Sequence, residues 1–204
     1  MAASGRAYVR ASGGSRSAAA AASHGRATVA RASNFFGTLL RNGLGAALDS
    51  LGIRDFVGRA ADIVFAAIAN AIAPPGATLE EAAARRAADE VLAKLYDDVI
   101  EAGGDLVALE AMSENDVADA VRGVITAYVY ERWLEQLGKS IEAGAVTPAE
   151  AVRLEREVKQ YVKDIVLLDV TNDEVLAFGR DAERTKQVVD RLFEEAYGLL
   201  EDGQ

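Results

Sequence analysis

The sequence predicts an all-α protein. We expect a single helical domain of five to seven helices over residues 33–204, preceded by a flexible basic N-terminal arm over residues 1–32. Alanine supplies 41 of the 204 residues and only three prolines interrupt the chain, and these residues lie at opposite ends of the helix-propensity scale. Apolar residues also recur at steps of three and four, which is typical of amphipathic helices.

Three segments of the form Ser/Thr-x-x-Asp/Glu predict helix starts. They are Thr78–Glu81, Ser113–Asp116 and Thr147–Glu150. In such a capping box the hydroxyl accepts a hydrogen bond from the amide three residues on, while the carboxylate returns to the first residue. Glycines or prolines precede or follow each of these helices, so their ends are also predicted.

The other elements have weaker signals. Residues 17–31 can form a helix that Gly25 weakens, and Asn34 is expected to cap a firmer helix ending at Gly52. Further helices are expected at Gly58–Ala73 and Arg180–Asp202. Between Leu167 and Phe178 the pattern allows a short hairpin or an extended arm, because β-branched residues flank a polar break.

Charge divides the chain into two parts. The first 48 residues contain six arginines and no acidic residue, whereas the remaining 156 carry a net charge of −16. Residues 1–16 consist mostly of small and polar residues, which cannot bury enough surface to offset the entropy of ordering. We therefore expect an acidic folded body with a basic arm that is disordered when free.

Three functions are open to the arm. Its arginines could neutralise nucleic-acid phosphates, the arm could be an organelle transit peptide, or it could fold on a partner protein. Arginine is sparse for a nucleic-acid arm and lysine is absent, so we favour the partner arm. The predicted partner-binding residues are Arg6, Tyr8, Arg10, Arg16, Arg26 and Arg31.

Side chains that usually carry chemistry are scarce. There is no cysteine, and the only histidine, His24, lies in the arm, where we expect it to be solvated. Zinc sites built on cysteine and histidine therefore lack their ligands, and Ser-His-Asp catalysis would have to recruit His24 from the arm without a Gly-x-Ser-x-Gly elbow to meet it. Gly138–Ser140 matches only the end of a phosphate loop. We predict no catalytic residue, no metal ligand and no cofactor, with a carboxylate-only Mg²⁺ site as the remaining enzymatic alternative.

No membrane span is expected. The most apolar stretch, Ile63–Ala73, is about half of the roughly 20 residues that a span requires. The N-terminal arm also lacks the run of large apolar residues that a secretory signal peptide requires. We expect a cytoplasmic protein.

The stretch from about Asn34 to Leu168 resembles the QatB family, the B component of the Qat anti-phage defence system. The resemblance rests on packing and capping patterns rather than on catalytic motifs. The segments that carry it are Gly43 with Ala47–Leu48, Phe56–Arg59, Ile63–Phe65, Ala73–Thr78, Glu81–Arg85, Ala127–Tyr128, Glu131–Arg132, Glu157–Val158 and Tyr161–Val162.

The resemblance implies a bacterial protein encoded beside an ATPase, a QueC-like enzyme and a TatD-like nuclease. It implies a component without enzymatic motifs that binds the QueC-like enzyme, with the ATPase and the nuclease as further candidate partners. QueC-like enzymes use ATP to activate a carboxylate, so such a partner could modify a protein amine. An arm of small residues suits entry into an enzyme cleft. The alternative is a nucleic-acid-binding accessory protein that uses the Arg-rich arm.

Overall fold

A computed structural model describes residues 22–101, 103, 105–142, 147–169 and 171–177, together with the single residues 183, 187, 190, 191 and 194. This part of the chain contains α-helices and no strand, so the all-α prediction is confirmed. The helices are α1 (Ser23–Ser50), α2 (Ala61–Ile72), α3 (Leu79–Glu101), α4 (Val107–Glu110), α5 (Glu114–Glu142), α6 (Pro148–Asp169) and α7 (Asn172–Ala177), with a 3-10 turn at Arg54–Phe56.

Helix α5 lies at the centre of the bundle and packs against α1, α3, α6 and α7. Its buried side chains include Tyr128 and Trp133. It packs against α3, whose buried residues are mostly alanines. Small side chains let helix axes approach closely, because the interaxial distance depends on the residues at the contact. The high alanine content thus serves helix packing as well as helix formation.

The three predicted capping boxes are present. At the start of α3 the Glu81 amide donates to Thr78 Oγ1 at 3.2 Å, and the Thr78 amide donates to Glu81 Oε2 at 2.9 Å. The same reciprocal pairs join Ser113 to Asp116 before α5, and Thr147 to Glu150 at the start of α6. These helix starts are set by local sequence.

The start of α1 differs from the prediction. The expected boundary between arm and domain, at residue 33, lies inside this helix, and the predicted cap Asn34 is in its interior. Ala22, Val29 and Ala32, all from the predicted arm, are at most 1% exposed and belong to the core. Residues 1–21, which include the segment expected to be disordered, lie outside the described part of the chain.

A kink divides α1 at Gly43. This residue has φ 80° and ψ 175°, a conformation that side-chain-bearing residues rarely adopt. The following amide, of Leu44, donates to Glu110 Oε1 at 2.9 Å, so α4 supplies a cap for the second half of α1.

The prediction of a hairpin or extended arm between Leu167 and Phe178 is wrong for the described residues, which are helical on both sides of residue 170. The reason is a fourth capping box, in which the Glu174 amide donates to Thr171 Oγ1 at 3.3 Å and the Thr171 amide donates to Glu174 Oε2 at 3.2 Å. The helix expected at Arg180–Asp202 lies mostly outside the described residues.

Candidate functional site: the anchor of the N-terminal segment

Of the six predicted partner-binding residues, the structure describes Arg26 and Arg31. Arg6, Tyr8, Arg10 and Arg16 lie outside the described residues. Both described arginines contact other parts of the same chain. Arg26 Nε lies 2.7 Å from Asp190 Oδ1, and Arg31 Nη1 donates to the Ile72 carbonyl oxygen at 2.7 Å.

The first turn of α1 is held by the start of α3. The His24 amide donates to Glu80 Oε1 at 2.8 Å, and His24 Nδ1 lies 2.9 Å from Glu80 Oε2. His24 Nε2 lies 3.4 Å from Glu81 Oε1. Each ring nitrogen of the histidine therefore faces a carboxylate, and half of the side chain remains exposed. The sequence predicted a solvated histidine in a flexible arm, whereas the structure holds His24 between two carboxylates.

Glu80 acts as a helix cap supplied by another helix. The residue at the cap position of α1, Ala22, has no side chain that can accept a hydrogen bond, and the first turn contains no acidic residue. The Glu80 carboxylate accepts the free His24 amide instead, and it places a negative charge at the positive end of the helix dipole. Tyr128 of α5 also donates to Glu80 Oε1, at 3.2 Å.

Gly25 brings α1 against α5 without an intervening side chain. Both Gly25 and Tyr128 are buried, and a Cβ atom added at Gly25 would overlap the Tyr128 ring. We call His24, Gly25, Glu80, Glu81 and Tyr128 the N-terminal clamp. It joins the start of the described chain to two helices that are distant in sequence.

Two arginines support the clamp by holding the loop before α3. Arg31 donates to the Ile72 carbonyl oxygen, and Arg85 Nη1 donates to the Ala73 carbonyl oxygen at 2.9 Å and to Asn70 Oδ1 at 2.8 Å. These bonds satisfy carbonyls at the end of α2, which has no further helical amides to accept from. The loop, and with it Glu80 and Glu81, is thereby fixed relative to α1.

The clamp lies within the part of the chain that matches a known protein family. A family model described as the Qat anti-phage system associated protein QatB matches residues 13–200. The chain belongs to the QatB family. The resemblance recognised in the sequence is therefore confirmed, and the match extends beyond it at both ends to include the whole clamp. Comparison with curated proteins and with solved structures found no match.

The described part of this QatB-family chain consists of α-helices with one 3-10 turn. None of its described helices is long and apolar enough to cross a membrane. No group of three or more metal-binding side chains occurs among the described residues. The clamp joins charged and aromatic side chains of α1, α3 and α5 at the first turn of α1.

The two clamp carboxylates are held in their charged form. Burial raises the pKa of Glu80, but hydrogen bonds from the His24 side chain and backbone and from Tyr128 outweigh it, so that the pKa lies below the ordinary 4.5. Hydrogen bonds from the Thr78 side chain and backbone lower the pKa of Glu81. Because folding lowers the pKa of Glu80, its contribution to stability is present above about pH 4.5 and is lost as the pH falls through the folded-state value.

We expect Glu80→Gln to lower the free energy of unfolding at pH 7 by roughly 1 kcal/mol, because the His24 hydrogen bonds lose their charged acceptor. Denaturant unfolding at several pH values measures this. The difference in free energy of unfolding between Glu80→Gln and the unsubstituted chain should shrink below about pH 4.5. Glu90→Gln is the control, since Glu90 pairs with Lys159 on the surface, where both are about half exposed and such pairs contribute little. A pH-independent cost for Glu80→Gln would contradict the clamp.

Gly25→Ala is expected to lower the free energy of unfolding by about 1–3 kcal/mol, because the added methyl group must displace the buried Tyr128 ring. The matched control is Gly45→Ala in the same helix, where nothing lies within 4 Å of the new Cβ and the better helix propensity of alanine should stabilise. Thermal unfolding of both variants compares them. The cost of Gly25→Ala should also fall in a Tyr128→Leu background, where the ring is gone. Equal effects of Gly25→Ala and Gly45→Ala would refute the close approach.

Proposed function

We propose that this chain is a non-enzymatic component of its anti-phage defence system, and that it acts in the cytoplasm by binding a QueC-like enzyme encoded beside it. Family membership makes the chain a component of such a system. The proposal adds that the N-terminal segment enters the cleft of the enzyme and serves as its protein substrate. The operon's ATPase and TatD-like nuclease are further proposed partners.

The observation that carries the proposal is the clamp at the base of this segment. Ala22 is 1% exposed and His24 is held by two carboxylates, so the chain that precedes them starts from a fixed point on the helices. A fixed starting point limits the conformational freedom that the segment has to lose when a partner orders it. Its composition of alanine, serine, glycine and arginine without acidic residues suits a narrow cleft.

The described contacts divide the six arm residues into two groups. Arg26 and Arg31 are engaged within the chain, and we assign them to the anchor of the segment. Arg6, Tyr8, Arg10 and Arg16 precede the anchor, and we assign them to the partner surface. Charge-assisted hydrogen bonds from the arginines would then supply most of the specificity.

Copurification of the chain with the QueC-like enzyme, followed by intact mass measurement, tests this function. Deleting residues 2–21 should abolish copurification and any added mass. The triple change Arg6→Ala, Arg10→Ala and Arg16→Ala should weaken both, and the corresponding lysine changes should weaken them less because charge is kept. If the chain without residues 2–21 still copurified with the enzyme, the proposal would be contradicted.

The alternative function is binding of nucleic acid by the same arm, which the arginines and the lack of acidic residues in the first 48 positions favour. Phosphate contacts predict a steep loss of affinity between about 50 and 200 mM salt. A labelled oligonucleotide that binds the full chain with this salt dependence, and not the chain without residues 2–21, would support it. Salt-insensitive copurification with the QueC-like enzyme would instead favour the protein partner.

A further inference from the structure

Helix α6 carries a strip of basic and apolar side chains on its exposed side. Val152, Arg156, Lys163 and Leu167 are separated by steps of four, seven and four residues, which return to nearly the same side of an α-helix. All four are exposed, and Val152 and Leu167 each expose 56% of their surface. We call these four residues the α6 strip.

The cations of the α6 strip are available for a partner. Arg156 and Lys163 form no hydrogen bond or ion pair among the described residues, whereas the neighbouring Arg153 and Lys159 pair with Glu157 and Glu90. Glu155 and Glu157 border the strip, and each lines one of two grooves that contain Val152 and Arg156. The strip therefore offers two exposed cations with which no described carboxylate forms an ion pair.

The surface beside the strip is concave. Two adjoining grooves of about 320 and 390 Å³ share Val152 and Arg156. The first is also lined by Arg153 and Glu157, and the second by Tyr130, Glu155 and Lys159, so cations outnumber carboxylates in each. Tyr130 is held in place by its hydrogen bond to Glu155 at 3.0 Å and by Lys159, whose Nζ lies 5.1 Å from the ring centroid. The strip is therefore bordered on one side by a groove whose lining side chains are held in place.

We propose that the α6 strip docks an acidic amphipathic segment of a partner protein. Its carboxylates would pair with Arg156 and Lys163, and its apolar side chains would cover Val152 and Leu167. The strip spans about 22 Å at 1.5 Å per residue, which matches a helical segment of four turns. This surface is separate from the N-terminal clamp, so the proposal stands whether or not the arm binds the QueC-like enzyme.

An acidic protein segment fits the strip better than nucleic acid or a membrane does. Phosphates would pair with the cations but leave Val152 and Leu167 uncovered.

The test uses the full chain and two labelled helical peptides of four turns. One carries leucine at helical spacing with flanking glutamates, and the other carries lysine at each glutamate position. The double variant Arg156→Glu and Lys163→Glu reverses the charge of the strip, and we call it the reversed strip. The matched control is Arg41→Glu with Arg59→Glu, which changes two exposed cations outside α6 that have no ion pair among the described residues. Circular dichroism checks that both variants keep their helices.

Fluorescence anisotropy should show the acidic peptide binding the unsubstituted and control chains, with at least about tenfold weaker binding to the reversed strip. The reversed strip should gain affinity for the basic peptide. Equal binding of the acidic peptide to both variants, or no binding at all, would overturn the proposal. A DNA duplex or a phosphatidylserine vesicle that bound through the strip in place of the acidic peptide would overturn it as well and would assign the strip to phosphate recognition.

Discussion

Deleting residues 2–32 is expected to abolish cooperative unfolding, whereas deleting residues 2–21 should leave the melting temperature within a few degrees. The two deletions differ by residues 22–32, which form the first turns of α1. The longer deletion removes Ala22, Val29 and Ala32 from the core and uncovers Tyr128, which is fully buried in the intact chain. Thermal unfolding followed by circular dichroism measures the difference.

The expected size of the effect follows from burial. Losing the buried side chains of one helical segment, and exposing the surfaces that they cover, costs several kcal/mol at about 25 cal/mol per Å² of apolar surface. Total stabilities of domains are about 5–15 kcal/mol, so a loss of this size leaves little folded protein. The clamp hydrogen bonds to Glu80 would be lost in addition.

A chain lacking residues 2–32 that melted like the full chain would place residues 22–32 outside the folded core. The shorter deletion is the control, because it removes the same basic segment while keeping α1. It is also the variant that the binding experiments require, since a loss of partner binding is informative only when the helical body remains folded.

The sequence predicts well those helix starts whose capping residues lie within a few positions of each other. The boxes at Thr78, Ser113 and Thr147 each close within four residues, so their helix starts can be read without knowledge of the fold. The box at Thr171 has the same form, but the β-branched residues around it favoured an extended structure. A capping signal here outweighed β propensity, which depends strongly on tertiary context.

The start of α1 could not be predicted in this way because its cap comes from α3. Ala22 gives no capping signal, and the carboxylate that accepts the His24 amide is 56 residues away in sequence. Gly25, which lowers helix propensity locally, is required by the contact with Tyr128. The clamp therefore depends on long-range packing, and an isolated glycine in a helix was the only sign of it in the sequence.

Val124→Asp is expected to unfold the body. Val124 is 2% exposed in the middle of α5, next to the fully buried Ile125, and α5 contacts α1, α3, α6 and α7. An unpaired carboxylate at this position costs several kcal/mol or forces the helix out of the bundle. Far-ultraviolet circular dichroism and thermal unfolding should show reduced helicity and no cooperative transition.

The matched control for Val124→Asp is Val152→Asp, which makes the same chemical change at a residue that is 56% exposed on α6. It should shift stability by about 0.5 kcal/mol or less, as is usual for surface substitutions. Leu154→Asp should fall between the two, because Leu154 is only partly buried against the core. If all three variants melted alike, the assignment of inner and outer helix faces would be wrong. If Val152→Asp is the most stable of the three variants and Val124→Asp the least, Val124 lies in the core and the strip of α6 faces solvent.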